Sequence, residues 1–226
     1  SGFLNVASGT YDASVALAGT LAGVLDLNGA ALAAGSSTSV FAIGLLNGSG
    51  DQALRLAAYA DDRSAVAGKA KVRVLHLAPD APAVDVVVLN GGAIAARPVT
   101  NLAFPSATSQ ALELDPGSYT LAVVPTGASA PILPTAAGAT LQLNAGDVIS
   151  VAAVGCLNTS TGACAGGAAF QFNLLLATSG IPTEWPGTYL IMFLVLLAVA
   201  FSQSGRTLGV DAALAARTPR PKVPIY

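Results

Sequence analysis

Charged side chains are scarce in this chain, and no dense basic cluster stands among them before the carboxy-terminal tail. Lys, Arg, Asp and Glu account for 10% of the 226 residues, where about a quarter is usual in a soluble domain. The formal net charge is −2. Since nucleic-acid binding depends on a concentrated positive surface, this composition argues against a nucleic-acid partner.

Residue types that carry out chemistry are also few. The chain has one histidine, and its five tyrosines and one tryptophan are scattered, so no aromatic platform for sugars or bases is expected. We find no nucleophile with a neighbouring base, no glycine-rich phosphate loop and no carboxylate pair. The sequence therefore predicts that the protein is not an enzyme and holds no cofactor.

The single histidine, His76, nevertheless has two acidic residues close by in the sequence, Asp80 and Asp85. One interpretation makes His76 a general acid or base that works with one of them. The other makes it a strand residue hydrogen-bonded to the turn that follows, and we favour this one. Together with Asp115 and Asp147, the two acids would bind calcium if loops brought them together. Asp also favours turns for local reasons, and we predict no metal site.

The two cysteines, Cys156 and Cys164, lie in a loop rich in Gly, Ser and Thr. A disulfide between them would close a short loop and imply an oxidising compartment. The alternatives are two free thiols or two metal ligands, although zinc needs three or four ligands. We predict the disulfide.

Apolar residues, in contrast, are abundant at 53%, and the mean hydropathy is +0.65. This balance indicates a membrane segment or a β-sandwich of small apolar residues, and we expect both. Residues 70–155 contain short runs in which apolar and polar side chains alternate, such as KVRVLHL. Turn signals such as Asp115-Pro116-Gly117 separate these runs. The pattern predicts an all-β sandwich.

Part of this pattern also occurs at the start of the chain. Tyr11 corresponds to Tyr119 with an offset of 108 residues, and Gly35 corresponds to Gly146 with an offset of 111. The motif FAIGLLN in the first copy likewise matches AAVGCLN in the second. A repeat this long indicates tandem domains.

Three stretches of the second copy resemble a known family: VRVLHLAPDAPAVDVVV, LELDPGSYTLAVVPTG and LQLNAGDVISVAAVG. They are similar to a bacterial extracytoplasmic β-sandwich family catalogued only as a domain of unknown function. The resemblance covers residues 71–180 and, as a carboxy-terminal remnant, residues 1–64. It implies an immunoglobulin-like module outside the cytoplasm, often in tandem, with no agreed activity.

The first copy has no counterpart of VRVLHLAPDAPAVDVVVLN, so we delimit a partial β-sandwich at residues 1–66 and a complete one at 70–180. Missing strands leave an apolar face and an unpaired edge, which invites strand addition. Upstream residues could supply the strands, since the chain begins with neither Met nor a signal peptide. The partial copy could instead pack on the second, or a partner chain could donate strands.

Residues 189–201 form an unbroken apolar run. From Trp185 to Ser204, at about 1.5 Å per helical residue, the segment would cross a hydrocarbon core of about 30 Å. We therefore predict a single transmembrane α-helix at residues 184–204, with Trp185, Tyr189 and Arg206 as interface anchors. The alternative is a buried helix of a soluble domain.

Charge sets the expected orientation. The tail at residues 205–226 is basic, so the positive-inside rule places it in the cytoplasm. The helix would then cross the bacterial inner membrane once, with the β-domains in the periplasm. The stretch AFSQSGRTLGVDAALAAR follows the apolar run with a Gly-Arg pair and a small-residue-Asp-Ala-Leu stretch. Residues 185–217 thereby resemble the end of the last transmembrane helix of DoxX-type membrane proteins, which implies a helix that packs on other helices.

These expectations favour an accessory or structural subunit of a larger membrane complex, of respiratory or photosynthetic type. Residues 185–226 would contact other subunits and the lipid bilayer, and the β-sandwich would cover the outer face. The alternative is a cell-surface adhesion or filament protein, in which a partner donates a strand to residues 1–66.

Overall fold

A computed structural model describes residues 3–16, 23–45, 48–129, 140–160, 164, 171–177 and 189–194. Most of these residues lie in strands or in the turns and loops that join them, and Gly50–Gln52 form a short 3-10 helix. The all-β prediction is confirmed. We call strands β1–β5 the first unit and strands β6–β14 the second unit.

The strand bounds follow the chain order. The first unit contains β1 (Phe3–Val6), β2 (Gly9–Ala16), β3 (Gly23–Leu32), β4 (Ser37–Ile43) and β5 (Arg55–Ala60). The second contains β6 (Ala70–His76), β7 (Val84–Asn90), β8 (Ala93–Leu102), β9 (Ser106–Ala107), β10 (Leu112–Leu114), β11 (Gly117–Pro125), β12 (Thr140–Leu143), β13 (Val148–Val154) and β14 (Gln171–Ala177). The last described strand is β15 (Tyr189–Leu194).

The second unit is a sandwich of two sheets. One has the strand order β10-β6-β13-β14, with β9 added beside β6, and the other has the order β12-β11-β7-β8. Alternate residues of the strands point inward, so that Val72 and Val151 of one sheet pack with Val86 and Val123 of the other. The alternation seen in the sequence therefore produces this core.

The first unit also has two sheets, β2-β3 and β1-β15-β4-β5. Buried Leu32 and Val40 pack between them, with partly buried Tyr11, Leu27 and Leu56 around them. In the described residues the outer sheet of this unit has two strands, whereas that of the second unit has four.

The two units pack face to face through β4. Val40 of this strand faces the core of the first unit, whereas Phe41 and Ile43 join a buried cluster with Leu75 and Val154 of the second. The sheets are thus stacked in four layers: β2-β3, β1-β15-β4-β5, β10-β6-β13-β14 and β12-β11-β7-β8.

The transmembrane helix predicted at residues 184–204 is wrong for Tyr189–Leu194, which form strand β15. The sequence of this strand, YLIMFL, contains aromatic and β-branched residues that suit strands as well as membranes, and a sheet offers it backbone partners on both sides. Among the described residues, no helix has the length and apolar character needed to span a membrane. The rest of 184–204 and the tail at 205–226 lie outside the described residues.

Candidate functional site

The feature that sets the first unit apart is the position between β1 and β4, which we call the strand slot. Strand β15 fills it, antiparallel to β1 and parallel to β4. Ile191 lies opposite Leu4 on one side and Thr38 on the other. A segment far along the chain therefore fills the sheet of the first unit. Of the three explanations above, packing of the partial copy on the second unit is the one that the structure shows, and the added strand comes from the same chain.

Strand β6 occupies the same place in the second unit. It is antiparallel to β10 and parallel to β13, and its Val72 lies opposite Leu112 and Ile149. Subtracting the repeat offsets, 112 − 108 = 4 and 149 − 111 = 38, gives the two partners of Ile191. Strand β15 thus sits in the first unit in the register that β6 has in the second.

The equivalence extends along the strand. Leu190 is paired with Asn5 and Ser37, as Lys71 is with Glu113 and Val148. Phe193 is paired with Val40, and Val74 is paired with the counterpart of that residue, Val151. The slot is therefore built for a strand of the β6 type.

Strand β6 shows what such a strand does with its two faces. Val72 and Val74 are buried in the core of the second unit. Lys71 and Arg73 alternate with them in sequence and reach the first unit, where their side chains bind Asp62 and Asp61. One face of the strand therefore completes its own sandwich and the other joins the two units.

These ion pairs line a polar cleft of about 340 Å³ between the units. Asp61 is almost fully buried and binds Arg73 at 2.5 Å. It also accepts hydrogen bonds from the hydroxyls of Ser37 and Ser39. Because the carboxylate accepts from three side chains, two on β4 and one on β6, it links these strands of the two units.

Asp62 and Lys71 form the second ion pair of the cleft, at 2.6 Å. The hydrogen bond from Lys71, supported by two from Ser64, lowers the pKa of Asp62 to about 2. Both β6 cations are thus engaged with carboxylates of the first unit. The arrangement suits adhesion between the units rather than capture of an anionic ligand.

His76 lies at the end of β6, fully buried. Its Nδ1 accepts a hydrogen bond from the backbone of Ala78, and its Nε2 lies 3.0 Å from the carbonyl oxygen of Pro82. Burial lowers the pKa of His76. The interpretation that this residue is hydrogen-bonded to the following turn is confirmed.

The aspartates considered as partners of His76 are engaged elsewhere. Asp85 binds Arg97 at 2.7 Å and accepts the backbone N–H groups of Asn101 and Gly127. Asp80 accepts the N–H of Leu157 at 2.7 Å. Each carboxylate holds a loop in place.

The four aspartates of the calcium hypothesis do not come together. Asp115 pairs with Lys69 at 2.6 Å, and Asp147 accepts the N–H of Asn144 in its own turn. Within the described ranges, the one cluster with metal-ligand spacing consists of Asp80, Cys156 and Cys164. The sulfur atoms of that cluster are joined in a disulfide, so it offers no thiolate.

The predicted disulfide between Cys156 and Cys164 is present, with an S–S distance of 2.05 Å. Both cysteines are buried against Leu45 of the first unit. Asp80 fixes the same loop by accepting the N–H groups of Leu157 and Asn158. The disulfide loop therefore belongs to the contact between the units.

The predicted membrane anchors are placed differently. Tyr189 opens strand β15 and is paired with Val6, whereas Trp185 and Arg206 lie outside the described residues. Sequence reasoning also missed Asp61 as a central residue. The signal was present, since the basic pair Lys71 and Arg73 complements the acidic pair Asp61 and Asp62.

The structure is that of an all-β protein in which two sandwich units share an interface of apolar contacts and ion pairs. Over residues 1–87 the chain matches the family described as Domain of unknown function (DUF4397). This range covers the partial copy and only the start of the copy at 71–180, where the resemblance had been expected to be fullest. No curated protein and no solved structure matches the chain significantly.

Proposed function

We propose that the protein is a non-catalytic surface protein of the adhesion or filament type, whose chains join by exchanging strand β15. The observation that carries this proposal is the strand slot, filled by a segment distant in sequence in the register of β6. A strand that fills the slot in the sheet of its own chain can fill the slot of a neighbouring copy with the same contacts.

The backbone explains why such an exchange would hold chains together. An empty slot would expose unpaired N–H and C=O groups along β1 and β4, and such edges bind strands readily. The inserted strand forms a ladder on both sides. Eleven residues, 178–188, separate β14 from β15, so the connection spans at most about 40 Å when extended.

The location is part of the proposal. A buried disulfide between Cys156 and Cys164 is typical of proteins outside the cytoplasm. We extend the proposal to an immunoglobulin-like ancestry for the two sandwiches, although the parallel pairing of β6 with β13 differs from the antiparallel sheets of that fold.

A cross-linking experiment tests strand exchange. Asn5 and Leu190 are register partners across the slot, so Asn5→Cys in one tagged chain and Leu190→Cys in another are expected to form a mixed disulfide after co-expression. Glu113→Cys is the matched control for Asn5→Cys, because its register partner is Lys71 of β6. The control should not cross-link to Leu190→Cys.

The alternative outcome is equally clear. If the double variant Asn5→Cys/Leu190→Cys cross-links within one chain and the single variants never pair, the slot serves only its own chain. Strand exchange would then be rejected.

A second candidate is the accessory subunit of a membrane complex, supported by the thirteen apolar residues at 189–201. It requires Tyr189–Leu194 to leave the sheet of the first unit, where they form strand β15. In that case residues 185–226 would contact the bilayer and other subunits of an inner-membrane complex, with a cytoplasmic tail. Carbonate washing tests it: a chain that stays in the membrane and co-purifies with cofactor-bearing subunits in mild detergent supports this candidate. Release by the wash, with self-multimers, supports the first.

A further inference from the structure

We infer that the strand slot recognises a pattern and not one sequence: an extended segment of another chain, parallel to β4, with apolar residues at the positions of Val72 and Val74. The inference rests on the proposed function, because it names the class of partner strand that the slot takes. Strand β6 of the second unit is the prototype of that class.

The backbone pairing of β15 matches that of β6. Five consecutive residues of β15, from Leu190 to Leu194, pair with β4 in the register in which Lys71 to Leu75 pair with β13. Four residues of β15 pair with β1, and three of them, Tyr189 to Ile191, have the register in which Ala70 to Val72 pair with β10. The backbone ladder gives affinity without regard to side chains, so any strand that adopts this register gains the same bonds.

Side chains at equivalent positions of β6 and β15 differ in charge at two places. Lys71 and Arg73 in β6 are replaced by Leu190 and Met192 in β15. Charged and apolar residues thus both occupy these positions.

The remaining two positions are apolar in both strands. Val72 and Val74 are buried in the core of the second unit, and Ile191 and Phe193 have the same register in the slot. Alternate side chains provide specificity in strand addition, so the apolar pair decides which strand is accepted.

The pattern is tested by two double variants of the full chain. Ile191→Asp/Phe193→Asp should empty the slot and speed hydrogen exchange of the β4 amides about ten-fold or more, because unpaired edge amides lose protection. The matched control, Leu190→Lys/Met192→Arg, copies the charges of β6 and should keep β4 protected. Equal loss of protection in the two variants would overturn the inference.

A synthetic peptide with the sequence of residues 69–77, KAKVRVLHL, then tests recognition directly. It should restore β4 protection in the emptied variant, and a peptide with Val72→Asp and Val74→Asp should not. A native-pattern peptide that gives no protection would overturn the inference.

A second measurement covers the case in which the emptied variant fails to fold, shown by lost protection in β13. The chain with Asn5→Cys is unfolded in urea and refolded with an excess of the peptide in which Lys71 is replaced by Cys, so that the peptide competes with β15 for the slot. Since Asn5 corresponds to Glu113, the register partner of Lys71, a peptide in the slot should cross-link, and absence of the product overturns the inference. Mixed disulfides between whole chains without peptide binding would leave the proposed function standing and reject only the pattern.

Discussion

His76 shows how a single buried side chain sets a pH limit on stability. The ring is fully buried and accepts the N–H of Ala78 at Nδ1, so Nε2 carries the proton and donates to the carbonyl of Pro82. Burial, the larger cause, lowers the pKa of His76 in the folded protein, and the hydrogen bond to Pro82 opposes it. The folded state thus prefers the neutral ring.

The sign of the pH effect follows. In the unfolded chain His76 takes up a proton below about pH 6.5, whereas in the folded chain its ring stays neutral to a lower pH. The stabilisation is therefore complete above about pH 6.5 and is lost as the pH falls. We expect the free energy of unfolding to fall between pH 7 and 5, measured by urea denaturation. His76→Gln should remove that part of the slope, and an unchanged slope would contradict the assignment to His76.

Two adjacent aspartates test whether burial determines how much an ion pair contributes to stability. Asp61 is 4% exposed and its neighbour Asp62 is 65% exposed, as side chains, although both form ion pairs. Removing one partner of a buried pair costs about 3–5 kcal/mol, whereas an exposed pair contributes about 0–1 kcal/mol. We expect Asp61→Ala to lower the free energy of unfolding severely and Asp62→Ala to change it little. Equal losses in denaturation experiments would show that burial is not decisive.

At the scale of elements, the disulfide loop is a short segment fixed from two sides. Cys156 and Cys164 are eight residues apart, and closing a loop of this size is worth about 2–3 kcal/mol in the chain-entropy model. Cys156→Ala/Cys164→Ala should lower the free energy of unfolding by that amount. Asp80→Ala, which frees the N–H groups of Leu157 and Asn158, should cost about 1–3 kcal/mol. A double-cysteine variant as stable as the wild type would contradict this account.

The strands show which elements could be predicted from the sequence. The alternation in residues 71–77 placed β6 correctly, and Asp115-Pro116-Gly117 marked the turn before β11. Alternation is local information, so a single sequence contains it. The apolar run that includes Tyr189–Leu194 has no alternation, and its structure depends on the slot between β1 and β4. That dependence on a distant contact is why the helix prediction failed there.

Some features of the candidate site could likewise be predicted from the sequence, and others depend on tertiary contacts. The disulfide was expected because Cys156 and Cys164 share a short loop without further metal ligands, and the structural role of His76 was favoured by the family resemblance. The pairing of Arg73 with Asp61 could not be predicted, since it requires the two units to be stacked face to face. Only tertiary structure makes this pair adjacent.

At the scale of the whole molecule, the shared core predicts that the two units unfold together. Phe41 is completely buried in the cluster that joins them, and its ring centroid lies 5.7 Å from that of Tyr59, with the two rings tilted by 60°. Its removal should cost about 3–5 kcal/mol and, unlike a loss within one sandwich, it should weaken the coupling itself. We therefore expect Phe41→Ala to split one calorimetric transition into two.

Val123→Ala is the matched control, because Val123 is buried within the second unit alone. It should lower the midpoint and leave a single transition, since the interface remains intact and the units still stabilise each other. Hydrogen exchange identifies the units in the Phe41→Ala chain: the amides of β2 and β3, whose sheet has two strands, should open first, and those of β11 last. A wild-type chain that already melts in two steps would show that the interface is too weak to couple the sandwiches.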